Sequence, residues 1–369
     1  MNRRIGILGY SGLAGQVVKK YLQEQYSLRL GARTDHDRFS TGSMEYMTVD
    51  AEEEKQLQSF CSGCQVIVNC IGPSYYVSEK VAKAAAEAGA DYVDVFGVNL
   101  LDKPSVSTKE NNQAIVIGAG SFPGLSGLLP AWMTAGMENV SERLRLYGGG
   151  KEQITLNACI DVILSMAENF GRSGVYLSGN SFKQLRQPVQ LPYGEYPEEA
   201  RGFYYLTKEM EAACHASPVQ ELFWCNVQRN PAYEQHMKQA VIGYMQDGSK
   251  EHVLELAKEL IANMEDKNPE EKLWYRIYGE LDWRCEEGIK TKRYRLDFKD
   301  TYQVNGFLAA ACAKMLLENS HNGGIYWPFQ ILDGVQVIES LQEQQIATVT
   351  VEGDIPWKEQ KVEQEEGEI

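Results

Sequence analysis

Three glycines near the amino terminus constrain the fold more than any other feature of the sequence. They lie in Gly9-Tyr10-Ser11-Gly12-Leu13-Ala14-Gly15, between an apolar run over 4–8 and a segment with apolar residues at helical spacing over 13–24. In a strand–turn–helix unit, the first glycine permits a tight turn, the second lets the backbone approach a pyrophosphate, and the third lets helix and strand pack closely. The amide groups and dipole at the helix start attract phosphate. The string therefore predicts a dinucleotide site, with a purely structural turn as the alternative.

The first 120 residues alternate short β-branched runs with helical patterns, which is typical of a parallel sheet with crossover helices. The predicted strands are 4–8, 27–32, 44–49, 65–70, 92–95 and 114–117, and a helix over 77–88 separates the fourth strand from the fifth. We therefore predict an α/β fold whose first domain, residues 1–122, is a Rossmann domain with a doubly wound parallel sheet.

The pattern changes after residue 120, where alternation with period two becomes prominent. Segments 143–147, 273–281 and 292–298 read as antiparallel strands covered on one side, and the helical patterns at 160–170, 233–245 and 252–264 are expected to supply that cover. Residues 123–304 are therefore predicted to form an α+β domain for the substrate and for dimerisation, built on a mostly antiparallel sheet. Residues 305–345 are expected to return to the first domain, and 358–369 to form an acidic tail.

Charge and composition exclude several classes of function. The formal net charge of -15 argues against a nucleic-acid partner or an anionic membrane surface, since both need clustered Lys and Arg. The apolar stretch 306–317 is too short to span a bilayer, and the apolar run at the amino terminus is too short for a secretory leader. The eight cysteines are read as buried thiols in a cytoplasmic protein. Cys61 and Cys64 form a C-x-x-C pair without a second pair, so no metal site is predicted.

The end of the second strand discriminates between the two nicotinamide cofactors. An NAD site usually places Asp or Glu there, whereas this strand ends in Gly31-Ala32-Arg33-Thr34. The Arg33 guanidinium can hold a 2′-phosphate or stack on adenine, and Thr34 adds a hydroxyl. Asp35 and Asp37 oppose the phosphate charge. The sequence favours NADP(H), and a solvated surface arginine is the alternative.

The fourth predicted strand continues into Asn69-Cys70-Ile71-Gly72-Pro73-Ser74-Tyr75-Tyr76. This is the carboxyl edge of the sheet, where the nicotinamide half of a dinucleotide passes. We expect the segment 69–73 to contact the cofactor, with Gly72 and Pro73 against the ribose. Tyr75 or Tyr76 faces the nicotinamide in this interpretation, and simple packing is the alternative for either ring.

These motifs together resemble the saccharopine dehydrogenase (saccharopine reductase) NADP-binding family. The resemblance is carried by the glycine string, the strand end at Arg33, and three further strings: Val68-Asn69-Cys70-Ile71-Gly72-Pro73, Gly89-Ala90-Asp91-Tyr92-Val93-Asp94 and Gly118-Ala119-Gly120-Ser121-Phe122-Pro123-Gly124. Gly324-Ile325-Tyr326-Trp327-Pro328 is similar to the ending of distant members. The resemblance covers residues 1 to about 130 and is essentially absent from about 145 to 300.

The resemblance implies NADPH-dependent chemistry at a carbon–nitrogen bond. The chain also looks like the stand-alone thiazolinyl imine reductases of siderophore biosynthesis, which act on a thiazoline held by a carrier protein. A homodimer is the family expectation. Hydride transfer to the C=N carbon would be helped by a proton donor to the nitrogen. The family pattern places an acidic residue in the phrase that contains Asp94.

The proton donor is not fixed by the sequence. The leading candidates are Asp94, Tyr75, Tyr76 and His215, and Tyr147, Lys151 and Glu168 are also open. Asp94 follows the fifth strand on the active edge, with a structural cap as its alternative. His215 is a lone loop histidine, a type that is usually just exposed. The segment after Glu168, 170–174, is a glycine-flanked loop that could close over a substrate.

Two other functions remain open. A saccharopine-type or opine-type dehydrogenase joins an amino acid to a keto acid, so it should show arginines converging on its cleft. Arg172, Arg186, Arg201 and Arg229 are scattered through predicted loops and do not decide the matter. A non-catalytic NADP-binding regulator would keep the glycine string and Arg33 without oxidising cofactor.

Overall fold

The first sheet of the molecule is parallel throughout. The computed structural model describes residues 3–34, 42–103, 112–137, 141–185, 187–264 and 272–356. The strands of this sheet are β1 (Arg4–Leu8), β2 (Ser27–Ala32), β3 (Met44–Thr48), β4 (Val66–Asn69), β5 (Asp91–Asp94), β6 (Ala114–Val116) and β15 (Gly324–Tyr326). Their order is β15-β6-β5-β4-β1-β2-β3, and every pairing is parallel. The predicted doubly wound sheet is confirmed, and β15 adds a seventh strand that the sequence pattern did not reveal.

Helices on both faces connect these strands. They are α1 (Leu13–Leu22), α2 (Glu54–Cys61) and α3 (Ser74–Glu87), with a short 3-10 helix at Val98–Asp102. The inner faces of α1 and α3 carry the apolar residues predicted from their spacing, such as Val17, Val18, Val81 and Ala85, which are buried. Helix α2 was not predicted. Arg29, buried on β2, donates to the carbonyl oxygens of Phe60 and Ser62 at the end of α2.

The second sheet is mixed and mostly antiparallel. Its strands are β7 (Ser141–Lys151), β8 (Gly171–Ser173), β9 (Val175–Ser178), β10 (Ser181–Gln184), β11 (Arg201–Thr207), β12 (Val219–Gln228), β13 (Trp274–Cys285), β14 (Gly288–Phe298) and β16 (Ala347–Pro356). The order is β10-β9-β12-β7-β13-β14-β16, and β11 pairs with both β12 and β8. Strands β7 and β12 run parallel, and the other pairings are antiparallel. The predicted fold class is confirmed.

The helices after β6 do not all lie where the sequence placed them. They are α4 (Leu125–Met133), α5 (Leu156–Ala167), α6 (Lys208–His215), α7 (Tyr233–Gln246), α8 (Lys250–Met264), α9 (Thr301–Glu318) and α10 (Gly334–Glu343). The expectation that α5, α7 and α8 cover the second sheet holds only in part: they pack on one another in a cluster of their own, while Tyr233 of α7 stacks on Phe203 of β11. Helices α4, α6, α9 and α10 contribute apolar residues that pack on this sheet. Helix α4 escaped prediction because it is buried nearly all round and carries Pro130, so it has no amphipathic period.

The chain returns to the first sheet near its end. Helix α9 lies against α1, where a Cβ on Gly306 would stand 2.4 Å from the Val17 Cβ and 2.6 Å from the Ala14 oxygen. Helix α10 instead packs against α4 and β16. The predicted domain boundaries stay predictions. The predicted acidic tail, 358–369, lies outside the described residues.

All eight cysteines are free thiols, and six of them are buried. Cys61 and Cys64 are both buried, and burial raises the pKa of each thiol. Within the ranges that the structure describes, none of the helices has the length and apolar character needed to cross a lipid bilayer.

Candidate cofactor and substrate site

The glycine string forms a tight turn between β1 and α1. Gly9 has φ +85°, and a Cβ there would meet the Ile71 side chain at 2.6 Å. The Gly9 amide donates to the Gly31 carbonyl at 2.8 Å, which ties the turn to β2. A Cβ on Gly15 would stand 2.2 Å from the Gly9 oxygen, so only glycine allows this approach of α1 to the turn. Two of the three glycines are therefore required by packing within the chain itself.

Gly12 differs from its two neighbours in the string. A Cβ added there would meet only the Gly9 oxygen, at an ordinary 3.4 Å. Gly12 is the N-cap of α1, has extended backbone geometry, and makes no side-chain cap to the first amide groups of the helix. Ser11, Gly12 and Leu13 are solvent-exposed. The space in front of the α1 amino terminus is thus open, which fits a bound pyrophosphate.

Arg33 and Thr34 follow β2 and are exposed at the carboxyl edge of the sheet. Strand β2 pairs directly with β1, so both residues lie beside the glycine turn. Tyr10 is buried and its ring meets the Tyr46 ring edge-on, 5.5 Å between centroids. Asp35 and Asp37, predicted to oppose a phosphate, lie outside the described residues.

The segment after β4 is held by contacts from two sides. The side-chain amide of Asn69 donates to Asp94 Oδ2 at 2.9 Å, and the backbone N–H of Cys70 donates to the Leu8 carbonyl oxygen at 2.8 Å. From α5, Asp161 accepts the amides of Ser74 and Tyr75 at 2.8 and 3.1 Å, which caps the start of α3. The segment 69–73 therefore lies at the carboxyl edge next to Gly9, as predicted, and a side chain from beyond the first sheet fixes its far end.

Asp94 is a carboxylate saturated with donors. It is 1% exposed, and it accepts hydrogen bonds from the side chains of Asn69, Ser74, Ser78 and Tyr92 and from the Phe96 amide. A group so enclosed cannot reach a substrate without breaking this network. The geometry favours the structural alternative for Asp94, because it joins β4, β5 and α3.

A cavity of about 290 Å³ adjoins the same edge of the sheet. Its walls come from both sheets and from the helices α5, α7, α8 and α9. Phe96 and Ser121–Pro123, which follow β5 and β6, form one side, and Gly148–Gly150 of β7 lie opposite. Ligand sites are typically roughly 300–1,000 Å³, so the volume suits a small molecule or one end of a larger one.

The lining is aromatic and nearly uncharged. Its aromatic residues are Phe96, Phe122, Phe170, Phe203, Tyr205, Tyr233, Tyr275 and Tyr302. The Tyr205 hydroxyl is buried and has no hydrogen-bond partner among the described residues. Glu152, just after β7, is the one charged residue among the described residues that line this cavity. Its carboxylate accepts a hydrogen bond from Thr301 at 2.6 Å, and burial raises its pKa.

The other predicted proton donors lie outside this lining. Tyr75 packs near Phe96, with ring centroids 6.4 Å apart, and burial raises the pKa of its phenol, with the charges of Glu168 and Asp161 adding to the rise. Tyr76 lies under the Lys250 ammonium, 4.8 Å from its ring centre. His215 is exposed at the end of α6. None of these three, nor Asp94, is among the residues around the cavity.

The segment predicted as a closing loop is part of a sheet. Residues 171–173 form β8 and pair with β11, and Phe170 is buried beside the cavity. Glu168 lies at the end of a helix, because it is the C-cap of α5. A helix terminus was the simpler alternative for this residue.

Three acidic residues at this site were not singled out from the sequence. Asp161 had a signal, because it is a lone charge in the apolar run Ile160–Leu164. Glu209 is fully buried and accepts the Gly124 amide at 2.7 Å and the Ser126 hydroxyl at 2.6 Å, so it caps α4. Burial raises the pKa of both Asp161 and Glu209 to about 7. Glu152 and Glu209 stand among other charged residues in the sequence and had no such signal.

Comparison with known proteins agrees with this geometry. Residues 5–121 match the saccharopine dehydrogenase NADP binding domain. A probable mitochondrial saccharopine dehydrogenase-like oxidoreductase of Arabidopsis thaliana is 26% identical over 166 residues, which is 37% of this chain and 37% of the relative. The match therefore spans little more than a third of that curated protein.

Two solved structures align with nearly the whole chain. The apo saccharopine dehydrogenase (L-Glu forming) of Saccharomyces cerevisiae aligns over 96% of this chain and 100% of its own, with a TM-score of 0.65 and 12% identity. The DAP dehydrogenase of C. glutamicum in complex with DAP covers 94% of this chain and 99% of its own, at a TM-score of 0.46 and 13% identity. The first of these shows that both sheets have the fold of a saccharopine dehydrogenase. Residues 5–121 of this chain form an NADP-binding domain of the saccharopine dehydrogenase family.

Proposed function

We propose that this chain is an NADPH-dependent oxidoreductase that reduces the C=N bond of an imine. The open helix start at Gly12 and the cavity at the same edge of the sheet support the proposal, because they give a cofactor and a substrate adjoining sites. The residues proposed to hold NADPH are Gly9, Tyr10, Ser11, Gly12, Leu13 and Gly15 at the phosphates, Arg33 and Thr34 at the 2′-phosphate, and Asn69, Cys70, Ile71, Gly72 and Pro73 beside the nicotinamide.

NADPH supplies a hydride when bound. The chain contributes position and environment: Asp161 and Asp94 fix the segment after β4, and Glu209 fixes the start of α4, which follows the cavity wall at Ser121–Pro123. The aromatic lining gives the substrate mostly apolar surroundings, which strengthen the electrostatic interactions there.

The proposed substrate class rests on the absence of cationic side chains among the described residues that line the cavity. Among the described lining residues there is no Lys, Arg or His. The Arg172 guanidinium lies 4.2 Å from the centre of the Phe182 ring, and Arg201 donates to the carbonyl oxygens of residues 198–200. Arg229 is not among the lining residues, and Arg186 lies outside the described chain. A substrate with several carboxylates would leave its charges unpaired in this cavity.

Within this class, the specific candidate is a thiazolinyl imine tethered to a carrier protein, reduced by a homodimer of this chain. An aromatic lining with Met166 and Met237 suits a sulfur-containing ring, since sulfur–aromatic contacts are favourable. The saccharopine-type or opine-type dehydrogenase is the second candidate, supported by the family of the first domain and by the fold.

The test is a substrate comparison with purified protein and NADPH, followed by the loss of nicotinamide absorbance. A neutral cyclic imine such as a thiazoline should be reduced with a kcat/KM at least about tenfold higher than the same ring carrying a carboxylate, because one unpaired charge costs more than 1.4 kcal/mol. Free and carrier-tethered thiazolines are compared in the same assay.

Turnover confined to carboxylated imines, or oxidation of a secondary amine that joins an amino acid to a keto acid, would favour the second candidate. Tight NADPH binding, measured by fluorescence, without consumption by any imine would identify a non-catalytic NADP-binding regulator instead.

A further inference from the structure

Glu152 is held in place by the start of α9. The residue directly follows β7, and its Oε1 accepts the Thr301 hydroxyl at 2.6 Å. Thr301 is the first residue of α9, whose N-cap is Asp300. One turn further on, Asn305 accepts the Ser121 amide at 2.7 Å. Glu152 and Ser121 both line the cavity, and α9 holds both of them, so the carboxylate has a fixed position relative to the loop after β6.

The surroundings of Glu152 provide no partner of opposite charge within the described lining. A carboxylate among aromatic side chains is costly unless it is protonated or meets a cation. Burial raises the pKa of Glu152, the Asp300 charge adds to the rise, and the hydrogen bond from Thr301 opposes it. Glu152 is nevertheless solvent-accessible in the cavity, so a ligand can reach it.

Three phenols line the same cavity as the carboxylate. The Glu152 charge contributes to the raised pKa of Tyr233, Tyr275 and Tyr302, and burial is the first cause for each. These phenols therefore stay protonated and uncharged near neutral pH. Aromatic faces attract cations, and a nearby carboxylate adds to that attraction.

We infer that this cavity takes a cationic cyclic imine or amine, and that Glu152 is its charge partner and the proton donor to its nitrogen. The inference rests on the proposed function and names the substrate class of the same site. In the reactive form of the complex Glu152 carries a proton and the imine is neutral; the proton moves from the carboxyl oxygen to the imine nitrogen, and the iminium carbon accepts the hydride from NADPH. The C=N double bond becomes a CH–NH single bond, NADPH becomes NADP⁺, and the Glu152 carboxylate regains a proton from water.

The first test measures ligand binding without cofactor. Calorimetric titration compares phenylpyrrolidine, a cationic product-like amine, with phenyltetrahydrofuran, its uncharged isostere. The amine should bind at least about tenfold more tightly to the wild type, and Glu152→Gln should remove that preference while leaving the ether unchanged. Glu259→Gln, an exposed position on α8 next to cavity-lining Leu260, is the matched control and should leave both affinities unaltered.

The second test separates proton donation from structure. Glu152→Gln should lower kcat/KM for phenylpyrroline about 100-fold, since its nitrogen must be protonated during the reaction. The loss should be much smaller for N-methyl phenylpyrrolinium, which already carries its charge, and Glu152→Asp should restore part of the activity. A residue that only supports the fold would lower both rates equally.

The outcomes distinguish this inference from the proposed function. If imines are reduced equally well by wild type and Glu152→Gln, the inference is wrong and the imine reductase stands. If the ether binds as tightly as the amine, the inference is wrong, and the turnover of imines decides the proposed function separately. If no imine is reduced but the amine binds in a Glu152-dependent manner, the cavity's ligand class is supported and the proposed reaction is wrong.

Discussion

The cofactor edge and the aromatic cavity lie side by side, yet they are built by different means. The cofactor edge consists of backbone: a glycine turn, an uncapped helix start and the segment after β4, all within the first 75 residues. Apart from the glycines of β7, the cavity is lined by side chains brought together from Phe96 to Asn305 by both sheets and four helices. A backbone site can be recognised from one short string, whereas a side-chain site depends on tertiary packing.

One helix links the two regions. Helix α9 presents Thr301 and Asn305 to the cavity, and one residue later Gly306 lies against Val17 of α1. The helix whose amino terminus faces the cofactor site and the loop that walls the cavity are therefore held by the same element. A change in either region is expected to affect the other when it moves α9, or when it moves α5, whose Asp161 caps the start of α3.

The largest expected effect comes from Gly15→Ala. The new Cβ would stand 2.2 Å from the Gly9 oxygen, so α1 must move and the unfolding free energy should fall by about 3 kcal/mol. Gly12→Ala is the matched variant, because its Cβ has ordinary contacts; it should unfold like the wild type but bind NADPH at least about tenfold more weakly, since the methyl group occupies the phosphate approach. Denaturant unfolding and NADPH fluorescence measure the two effects. Normal NADPH affinity in Gly12→Ala would show that the open space is not the phosphate site.

The second prediction asks whether the cavity also depends on a backbone approach. Gly149 lies in β7, and a Cβ there would stand 2.0 Å from the Val227 oxygen of the neighbouring strand. Gly149→Ala should therefore cost about 2–3 kcal/mol of unfolding free energy. Gly353→Ala, on β16 of the same sheet with no atom within 4 Å of its added Cβ, should change stability by less than about 0.5 kcal/mol. Equal stability of the two variants would mean that β7 and β12 can separate at little cost.

The first sheet was predictable because each of its buried strands is a short apolar run between turn signals. Strands β1 and β2 lie where the sequence placed them, and β4 and β5 differ by one residue at each end. Helix α4 and strand β15 could not be found in this way. Helix α4 lacks a polar face, and β15 is three residues long and acquires its role only by pairing with β6.

The residues of the site show the same difference between local motifs, which the sequence reveals, and tertiary packing, which it does not. The residues around Gly9 and Asn69 were predicted from local motifs, and the structure places them together at one edge. Asp94 was singled out because it lies on that edge, but a sequence cannot reveal that five donors enclose it. Glu152 and Glu209 are single acidic residues far along the chain, and only the tertiary fold brings them to the cavity and its wall.

The third prediction concerns the pH dependence of stability at the cavity wall. The pKa of Glu209 is about 7 in the folded state, above its ordinary value of 4.5, so the folded state binds the extra proton between these pH values. Its contribution to stability is therefore present below about pH 4.5 and is lost as the pH rises through 7. The Glu209→Gln variant cannot ionise at this position. Its unfolding free energy relative to the wild type should therefore rise by about 2 kcal/mol between pH 5 and pH 8. Glu211→Gln, on the same helix but partly exposed, should follow the wild-type curve in denaturant unfolding. A parallel curve for Glu209→Gln would show that Glu209 stays ionised when buried.

The smallest effect is expected at the exposed rim of the cofactor edge. Arg33→Asp places a negative charge where the 2′-phosphate of NADPH is proposed to lie, so NADPH affinity should fall about tenfold or more, while NADH affinity changes by less than about threefold. Lys20→Asp makes the same charge change on an exposed residue in the last turn of α1 and should leave the ratio of the two affinities as in the wild type. Equal weakening for both cofactors would mean that Arg33 acts through the general field of the surface. Because Arg33 is exposed and lies outside every core cluster, neither variant should alter the cavity, and the affinity of phenylpyrrolidine should stay at its wild-type value. An exposed side chain at the cofactor edge is thus expected to change the preference between NADPH and NADH while the ligand preference of the cavity stays the same.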